Sequence, residues 1–254
     1  IRNSANNFAE VSLELGGKSP LIVFEDADIE NAVNGVLLSI FSASGQSCVA
    51  ASRLLLHESI HDAILKEIVA RAAQIRIGDP LQEESQMGPL ATLDQLKFIG
   101  NAVDNAVSNG AHLLYGGQSP AEFSSGWYYE PTIISCPNQD LDIVRNELFG
   151  PVVSVIRFSD ETEAIRLAND TQFGLAAGVF TANIARALRV TKAVRAGIVW
   201  VNSYRMVSPL APFGGYKDSG YGRESGLQAI YDYTRPKTVW LNTSSDPISD
   251  PFVM

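Results

Sequence analysis

Apolar residues fall along this chain in two alternating patterns, short unbroken runs and longer stretches at helical spacing, so strands and helices are expected in turn. Residues 11–15 alternate apolar and polar as a short strand does, and Gly16-Gly17 ends the run. Residues 21–24 form a compact buried-strand candidate. Asp28 is placed to cap the helix that follows, with Ile29, Ala32, Val33, Val36, Leu37 and Ile40 at helical spacing. The next strand is Arg53–His57, and Ser59 opens a helix through Ile60, Ile64, Ile68 and Ala72 that Gly78-Asp79-Pro80 breaks. Residues 92–108 read as a strongly amphipathic helix carrying Leu93, Leu96, Ile99, Val103 and Val107, stopped by Asn109-Gly110. A strand over 111–115 and an extended stretch over 127–134 follow, Pro131 marking an edge or a bend.

The last third has the clearest rhythm: strand 152–158, helix 162–169, strand 175–180, helix 184–194, strand 198–202. Strands and helices alternating at these lengths predict an α/β layer with a largely parallel sheet flanked by helices. Residues 208–226 form a glycine-rich loop, 229–233 a short helix and 237–242 a terminal strand.

Composition narrows the function classes. A chain of 254 residues with 46% hydrophobic and 19% charged residues can bury a sizeable core. Its net charge of −9 repels phosphate backbones, which argues against nucleic acid as a general partner. No apolar run approaches the ~20 residues of a membrane helix, and no secretory signal opens the sequence. The two cysteines, Cys48 and Cys136, show neither CxxC nor metal-ligand spacing, so no metal site is expected and a reducing, cytoplasmic setting fits. The sequence opens Ile1-Arg2-Asn3-Ser4 without an initiator methionine and is in motif-like sequence by Leu13; it reads as the C-terminal part of a longer polypeptide.

Candidate chemistry starts at Cys48. It follows small residues in Ser42-Ala43-Ser44-Gly45-Gln46-Ser47, where a small electrophile has room to reach a thiol. A buried thiol acting as a small hydrophobe is the alternative. Glu14, beside Gly16-Gly17 and between Leu13 and Leu15, is placed for partial desolvation, which would raise it toward general-base range; a solvated strand-end glutamate is the alternative. His57, His61 and His112 carry no mark of a nucleophile's partner or of a metal set. Glu147-Leu148-Phe149-Gly150-Pro151 sets an acid and an aromatic before a Gly-Pro turn, suited to holding a ribose or simply to anchoring a loop. The glycines of 213–226 match neither GxxxxGK[ST] nor GxGxxG, and read as a shaped turn.

Together, Glu14-Leu15-Gly16-Gly17-Lys18-Ser19-Pro20, Gly45-Gln46-Ser47-Cys48, Glu147-Leu148-Phe149-Gly150-Pro151 and Pro212-Phe213-Gly214-Gly215-Tyr216-Lys217-Asp218-Ser219-Gly220 resemble the NAD(P)-dependent aldehyde dehydrogenase superfamily in order and spacing, over nearly the whole chain. The resemblance implies oxidation of an aldehyde to a carboxylic acid with NAD or NADP. Cys48 matches the nucleophile that forms a thiohemiacetal and then a thioester, and Glu14 the base that activates water. The backbone N–H of Cys48 would contribute to the oxyanion hole. Glu147 matches the residue that binds the nicotinamide ribose. Phe149 and the main chain at Leu15 match segments close to the nicotinamide, and Tyr204 and Phe213 match segments of the substrate tunnel.

The same resemblance implies a division into the end of a Rossmann-type cofactor domain (1–17), a catalytic domain (18–211) and a C-terminal segment (212–254) whose strand 237–242 serves a homo-oligomer, dimer or tetramer. The family's dinucleotide-binding region and its oxyanion asparagine precede the first motif, and that half is absent here. Where many members carry a lysine after the glutamine matching Gln95, this chain has Phe98. The fragment alone is therefore expected to be inactive or nearly so. A CoA-acylating variant, a non-catalytic structural or oligomerisation fragment and a cofactor-free cysteine hydrolase are the competing readings.

Overall fold

The computed structural model describes residues 1–253. In chain order its elements are β1 (Leu13–Glu14), β2 (Pro20–Val23), α1 (Ile29–Phe41), β3 (Arg53–His57), α2 (His61–Ala72), α3 (Leu93–Ser108), β4 (His112–Tyr115), β5 (Thr132–Ser135), α4 (Asp142–Arg145), β6 (Val152–Phe158), α5 (Glu161–Asn169), β7 (Phe173–Gly174), β8 (Ala176–Phe180), α6 (Ile184–Ala193), β9 (Ile198–Val201), β10 (Tyr216–Lys217), β11 (Gly220–Tyr221) and α7 (Gly226–Asp232). The helix starts follow capping chemistry. Asp28, Thr92, Asp160 and Asn183 each accept a hydrogen bond from a first-turn amide that has no helical partner, at 2.8, 3.1, 2.8 and 3.1 Å.

Seven strands form one sheet in the order β4-β5-β6-β3-β2-β8-β9. Every neighbouring pair is parallel except β4–β5. Because successive side chains alternate across the sheet, each strand feeds two cores. Leu21, Val23, Leu54 and Leu56 pack with α1 and α2 on one face, and Ile22, Phe24, Leu55 and Ile156 with α3 to α6 on the other. Burial on both faces explains why the strands read as unbroken apolar runs. Outside the sheet, β1 pairs antiparallel with β11, and β7 with β10.

Several expectations need correction. The first strand is shorter than 11–15: only Leu13 and Glu14 pair, because their partners in β11 are the two residues Tyr221 and Gly220. Ser59 does not open α2; its hydroxyl bonds His57 Nδ1 at 2.8 Å and the helix begins at His61. The expected strand over 237–242, the segment assigned to oligomerisation, does not form within one chain. Those residues have no secondary structure and are exposed, Trp240 at 93%. A strand needs the edge of another to satisfy its amides, and none lies beside it. Among the described residues no helix is long and apolar enough to cross a membrane, and no group of His, Cys, Asp and Glu is placed to hold a metal ion.

Candidate active site

The segments carrying the candidate residues converge at the N-terminal edge of the parallel sheet. Residues 16–19 lead into β2, 46–52 into β3 and 147–151 into β6. Their contact is close enough that a side chain at Gly16 or Gly45 would displace a neighbour, and at Gly45 that neighbour is backbone. A Cβ on Gly16 would lie 1.8 Å from Glu147 Oε2, and one on Gly45 would lie 2.1 Å from the Gly150 carbonyl oxygen. The Gly17 amide donates to Glu147 Oε1 at 3.1 Å. Gly45 also has φ +68°, a conformation glycine adopts without strain.

Cys48 is partly buried and carries a free thiol. Burial pushes that thiol above its ordinary range, and the negative charges of Glu147 and Glu14 push it further. The backbone amides of Val49 and Cys48 act in the opposite sense by hydrogen-bonding the thiolate. The loop around it is held from several sides. Ser44 Oγ donates to the Gly88 carbonyl at 2.8 Å, Gln46 Oε1 accepts from the Ala91 amide at 2.8 Å, and the buried Tyr204 hydroxyl donates to the Val49 carbonyl at 2.8 Å. The Trp200 and Tyr204 rings lie 4.5 Å apart and pack in the same core.

Glu14 sits where β1 meets β11, and both its carboxylate oxygens are buried without a hydrogen-bond partner. Desolvation raises it above the usual carboxylate range; the Glu224 charge adds to the rise and Arg223 opposes it. A carboxylate left unpaired and reluctant to ionise is suited to taking a proton from water. A cleft of about 960 Å³ opens beside it, lined by Val11, Ser12, Gly220, Arg223, Glu224 and Gln228.

Glu147 is likewise raised by burial, with the Gly17 amide and the Lys18 charge opposing. Leu15 and Phe149 are apolar yet 47% and 42% exposed. Phe149 stands in the left-handed region at φ +54°, and the side-chain amide of Gln95 donates to the carbonyls of both Leu148 and Phe149. Phe213 packs against the core, its amide and carbonyl paired with Glu224 at 2.6 and 2.7 Å. No histidine acts on the thiol: His57 bonds Ser59 and His61 bonds Asp62.

Sequence reasoning passed over four charged residues. Lys18, 1% exposed, is pulled down to about 7 by burial, Arg53 adding to the fall while Glu147 and Cys136 oppose it. Arg53, fully buried, donates to the carbonyls of Lys18, Leu167 and Ala168 and to Gln139, and burial brings it to about 10. Arg223 and Glu224 supply the charges beside Glu14. The signal for the last pair was their position in the loop after Phe213-Gly214-Gly215. Lys18, next to glycine, and Arg53, at a strand start, carry no comparable signal.

A model of the aldehyde dehydrogenase family matches residues 1–239. The chain is 55% identical over its whole length to (Z)-2-((N-methylformamido)methylene)-5-hydroxybutyrolactone dehydrogenase of Acinetobacter baylyi, covering 52% of that protein. It is 46% identical over 95% of its length to betaine aldehyde dehydrogenase of Brucella anthropi, covering 50% of it. Among solved structures, PnpE of Pseudomonas sp. WBC-3 in complex with nicotinamide adenine dinucleotide is 44% identical with a TM-score of 0.94, over 99% of this chain and 52% of that one. Betaine aldehyde dehydrogenase from Staphylococcus aureus in complex with NAD+ gives 40% and 0.89, over 91% of this chain and 46% of that one. The chain thus spans about half the length of the curated relatives it matches. With these motifs gathered at one sheet edge, the chain belongs to the aldehyde dehydrogenase family.

Proposed function

We propose that this chain is the catalytic half of an NAD(P)-dependent aldehyde dehydrogenase that oxidises an aldehyde to a carboxylic acid. One observation carries the reading: the Cys48 thiol, with two backbone amides to stabilise its anion, lies within electrostatic reach of the buried, unpaired Glu14 carboxylate. Cys48 Sγ attacks the aldehyde carbon, and the Cys48 amide faces the oxygen on which charge develops. After oxidation the acyl group remains on Cys48 as a thioester. Glu14 takes a proton from a water molecule that attacks this thioester, releasing the acid and the free thiol. Water as acceptor favours this reading over acyl transfer to CoA, for which a base at Glu14 has no use.

The residues present fit the nicotinamide end of a dinucleotide. Leu15 and Phe149 offer apolar surface, and Glu147, with one oxygen held by Gly17, keeps acceptor capacity for ribose hydroxyls. Bound there, the cofactor supplies the hydride acceptor. Gly16 and Gly17 let main chain come close, Glu147 orients the ribose, Phe213 bounds the aldehyde's approach, and the buried Tyr204 backs the Cys48 loop that forms its floor.

Division at residues 17 and 211 follows from the same reading, although β1 and β11 tie the two flanks together. The exposed Val239, Trp240 and Leu241 support a tail that completes a strand on a second copy, giving a homo-oligomer. Two free thiols suit a cytoplasmic enzyme. The reading is tested by Cys48→Ser in the whole polypeptide: aldehyde-dependent reduction of NAD or NADP is expected to disappear, and retained turnover overturns it.

A further inference from the structure

We propose that Arg205 is a positioning residue for Cys48, its guanidinium fixing the end of α1 and the left-handed turn that presents the thiol. The proposal rests on Cys48 being the nucleophile and adds what holds it in place. The chain leaves α1 through Ser42 in an extended conformation, then turns through Ala43 and Ser44, both at φ +54°, before Gly45 at φ +68°. Two successive residues bearing a Cβ in that region are strained, and such a turn persists only where its surroundings over-determine it. Gln46, Ser47 and Cys48 follow directly, so any relaxation of the turn moves the thiol.

Arg205 meets this turn at the point where a helix is short of donors. The last carbonyls of an α-helix have no partner within it, and the helix dipole places partial negative charge there. Arg205 Nη2 donates to the carbonyls of Ser39 and Ser42, at 3.4 and 3.3 Å, joining the last turn of α1 to the first residue beyond it. Arg205 is itself in the left-handed region, at φ +62°, and its Nε is buried without a partner. A long cationic side chain held in such backbone, with one donor left unused, is an arrangement that solubility does not require. Burial lowers its affinity for the proton, while Tyr204 and Cys48 oppose that fall, which sets the guanidinium in the field of the thiol. The adjoining Tyr204 reaches the other side of the same loop, at the Val49 carbonyl. The dipeptide Tyr204-Arg205 therefore braces the nucleophile loop before and after Cys48.

Without the guanidinium, the Ser42 carbonyl turns to water and the Ser39 carbonyl keeps only the Ala51 amide, at 3.3 Å; the turn relaxes and the Cys48 and Val49 amides lose their aim on Sγ. Burial and the charges of Glu14 and Glu147 then act on the thiol unopposed, so it ionises at higher pH. The test is the rate of Cys48 alkylation by iodoacetamide against pH in the whole polypeptide, with modification located by mass spectrometry, for the parent, Arg205→Met and Arg205→Lys. The midpoint is expected to rise by about one pH unit in both variants, since an ammonium keeps the charge but lacks the guanidinium fork; alkylation at a fixed pH below the midpoint falls about tenfold. An unchanged midpoint in Arg205→Met overturns the proposal. So does full rescue by Arg205→Lys, which would assign the effect to charge alone. If Arg205→Met does not fold, Arg205→Gln takes its place under the same outcomes. In turnover assays of the variants kcat is expected to fall while KM for the nicotinamide cofactor stays constant. Turnover retained in Cys48→Ser would sink the nucleophile reading yet leave the alkylation result standing, so the two failures are distinguishable.

Discussion

The two ends of the parallel sheet treat charge in opposite ways. At the C-terminal ends of β2 and β8, Arg186 donates to Asp26 at 2.9 Å and Glu25 at 2.7 Å, the Thr181 hydroxyl donates to Asp26 at 2.7 Å, and Arg189 pairs with Glu161 at 2.6 Å. Arg186 and Arg189 keep the Glu25 and Glu161 carboxyls below the ordinary carboxylate range.

 For Glu25, burial pulls the other way, and the Arg186 hydrogen bond together with the Arg186 and His57 charges outweighs it. At the N-terminal ends, Glu14, Glu147 and Cys48 are all raised by burial and Lys18 is lowered to about 7. The C-terminal end drives Glu25 and Glu161 toward their charged forms and the candidate site drives its own groups toward neutrality, although the Arg145–Asp170 pair, at 2.8 Å on the same side as the site, keeps its charges. The first arrangement secures the fold, and the second leaves groups poised to exchange protons. Open α/β sheets usually bind ligands at the C-terminal ends of their strands. Here that end is closed by ion pairs, and the candidate chemistry lies at the other.

The contrast can be broken most severely at Glu14. Glu14→Gln in the whole polypeptide is expected to lower steady-state turnover by about 10²–10⁴-fold, the range of a lost general base, while a first-turnover burst persists. Stopped-flow measurement of the burst checks this, and loss of the burst together with the steady state would remove Glu14 from deacylation. At the opposite end, Arg186→Met is expected to cost about 2 kcal/mol of stability in urea denaturation, because it strands Asp26 and Glu25, and to leave turnover per folded molecule unchanged. A matching fall in turnover would show that the two ends are not separate in role.

Lys18 gives a smaller effect that appears as a pH dependence. Its folded value near 7 lies below the unfolded value of 10.5, so the unfolded chain binds more protons between the two. Stability should therefore rise with pH across that window, the full cost of the buried charge being present below it. Lys18→Met is expected to flatten the rise, and melting temperatures at pH 7 and pH 9 decide it: an undiminished rise in the variant assigns it elsewhere. Smallest is Gln95→Ala. Losing a hydrogen bond worth about 1 kcal/mol on the Leu148-Phe149 turn should raise KM for the nicotinamide cofactor about fivefold, with kcat less affected. Cofactor titration followed by initial rates separates the two parameters.

The sheet was legible because its strands are buried on both faces. Arg53–His57 and Val152–Phe158 were delimited by their apolar runs alone, and both are strands over those limits. The capping residue Asp28 fixed a helix start for the same local reason. Elements depending on distant partners were harder to read. β1 is cut to a dipeptide by β11, more than 200 residues away, and the single turn of α4 is too short to show a period. The terminal strand was expected from a run that looks like a strand, but the chain itself offers it no edge.

At the candidate site, the sequence motifs singled out Cys48, Glu14 and Glu147 as candidates, while their electrostatic setting stayed hidden. Burial of Lys18 and Arg53 depends on packing between strands, and a cation next to glycine or at a strand start ordinarily reads as solvated. The left-handed backbone at Ala43 and Ser44 leaves no mark either, since neither residue favours it. Arg205 gave no local clue, because what it grips are carbonyls of α1, far back in the sequence.

The contact between Gly16 and Glu147 constrains how this protein can be redesigned. The Gly17 amide and the Glu147 carboxylate meet across 130 residues of sequence, and a single methyl group at Gly16 would occupy the place of a carboxylate oxygen. Position 16 and position 147 thus behave as one locus. Gly16→Ala alone should displace the Glu147 carboxylate from its place beside the Gly17 amide, whereas pairing it with the shorter Glu147→Asp makes the room it needs. A library that varies these positions one residue at a time will miss that solution, and paired variation will find it.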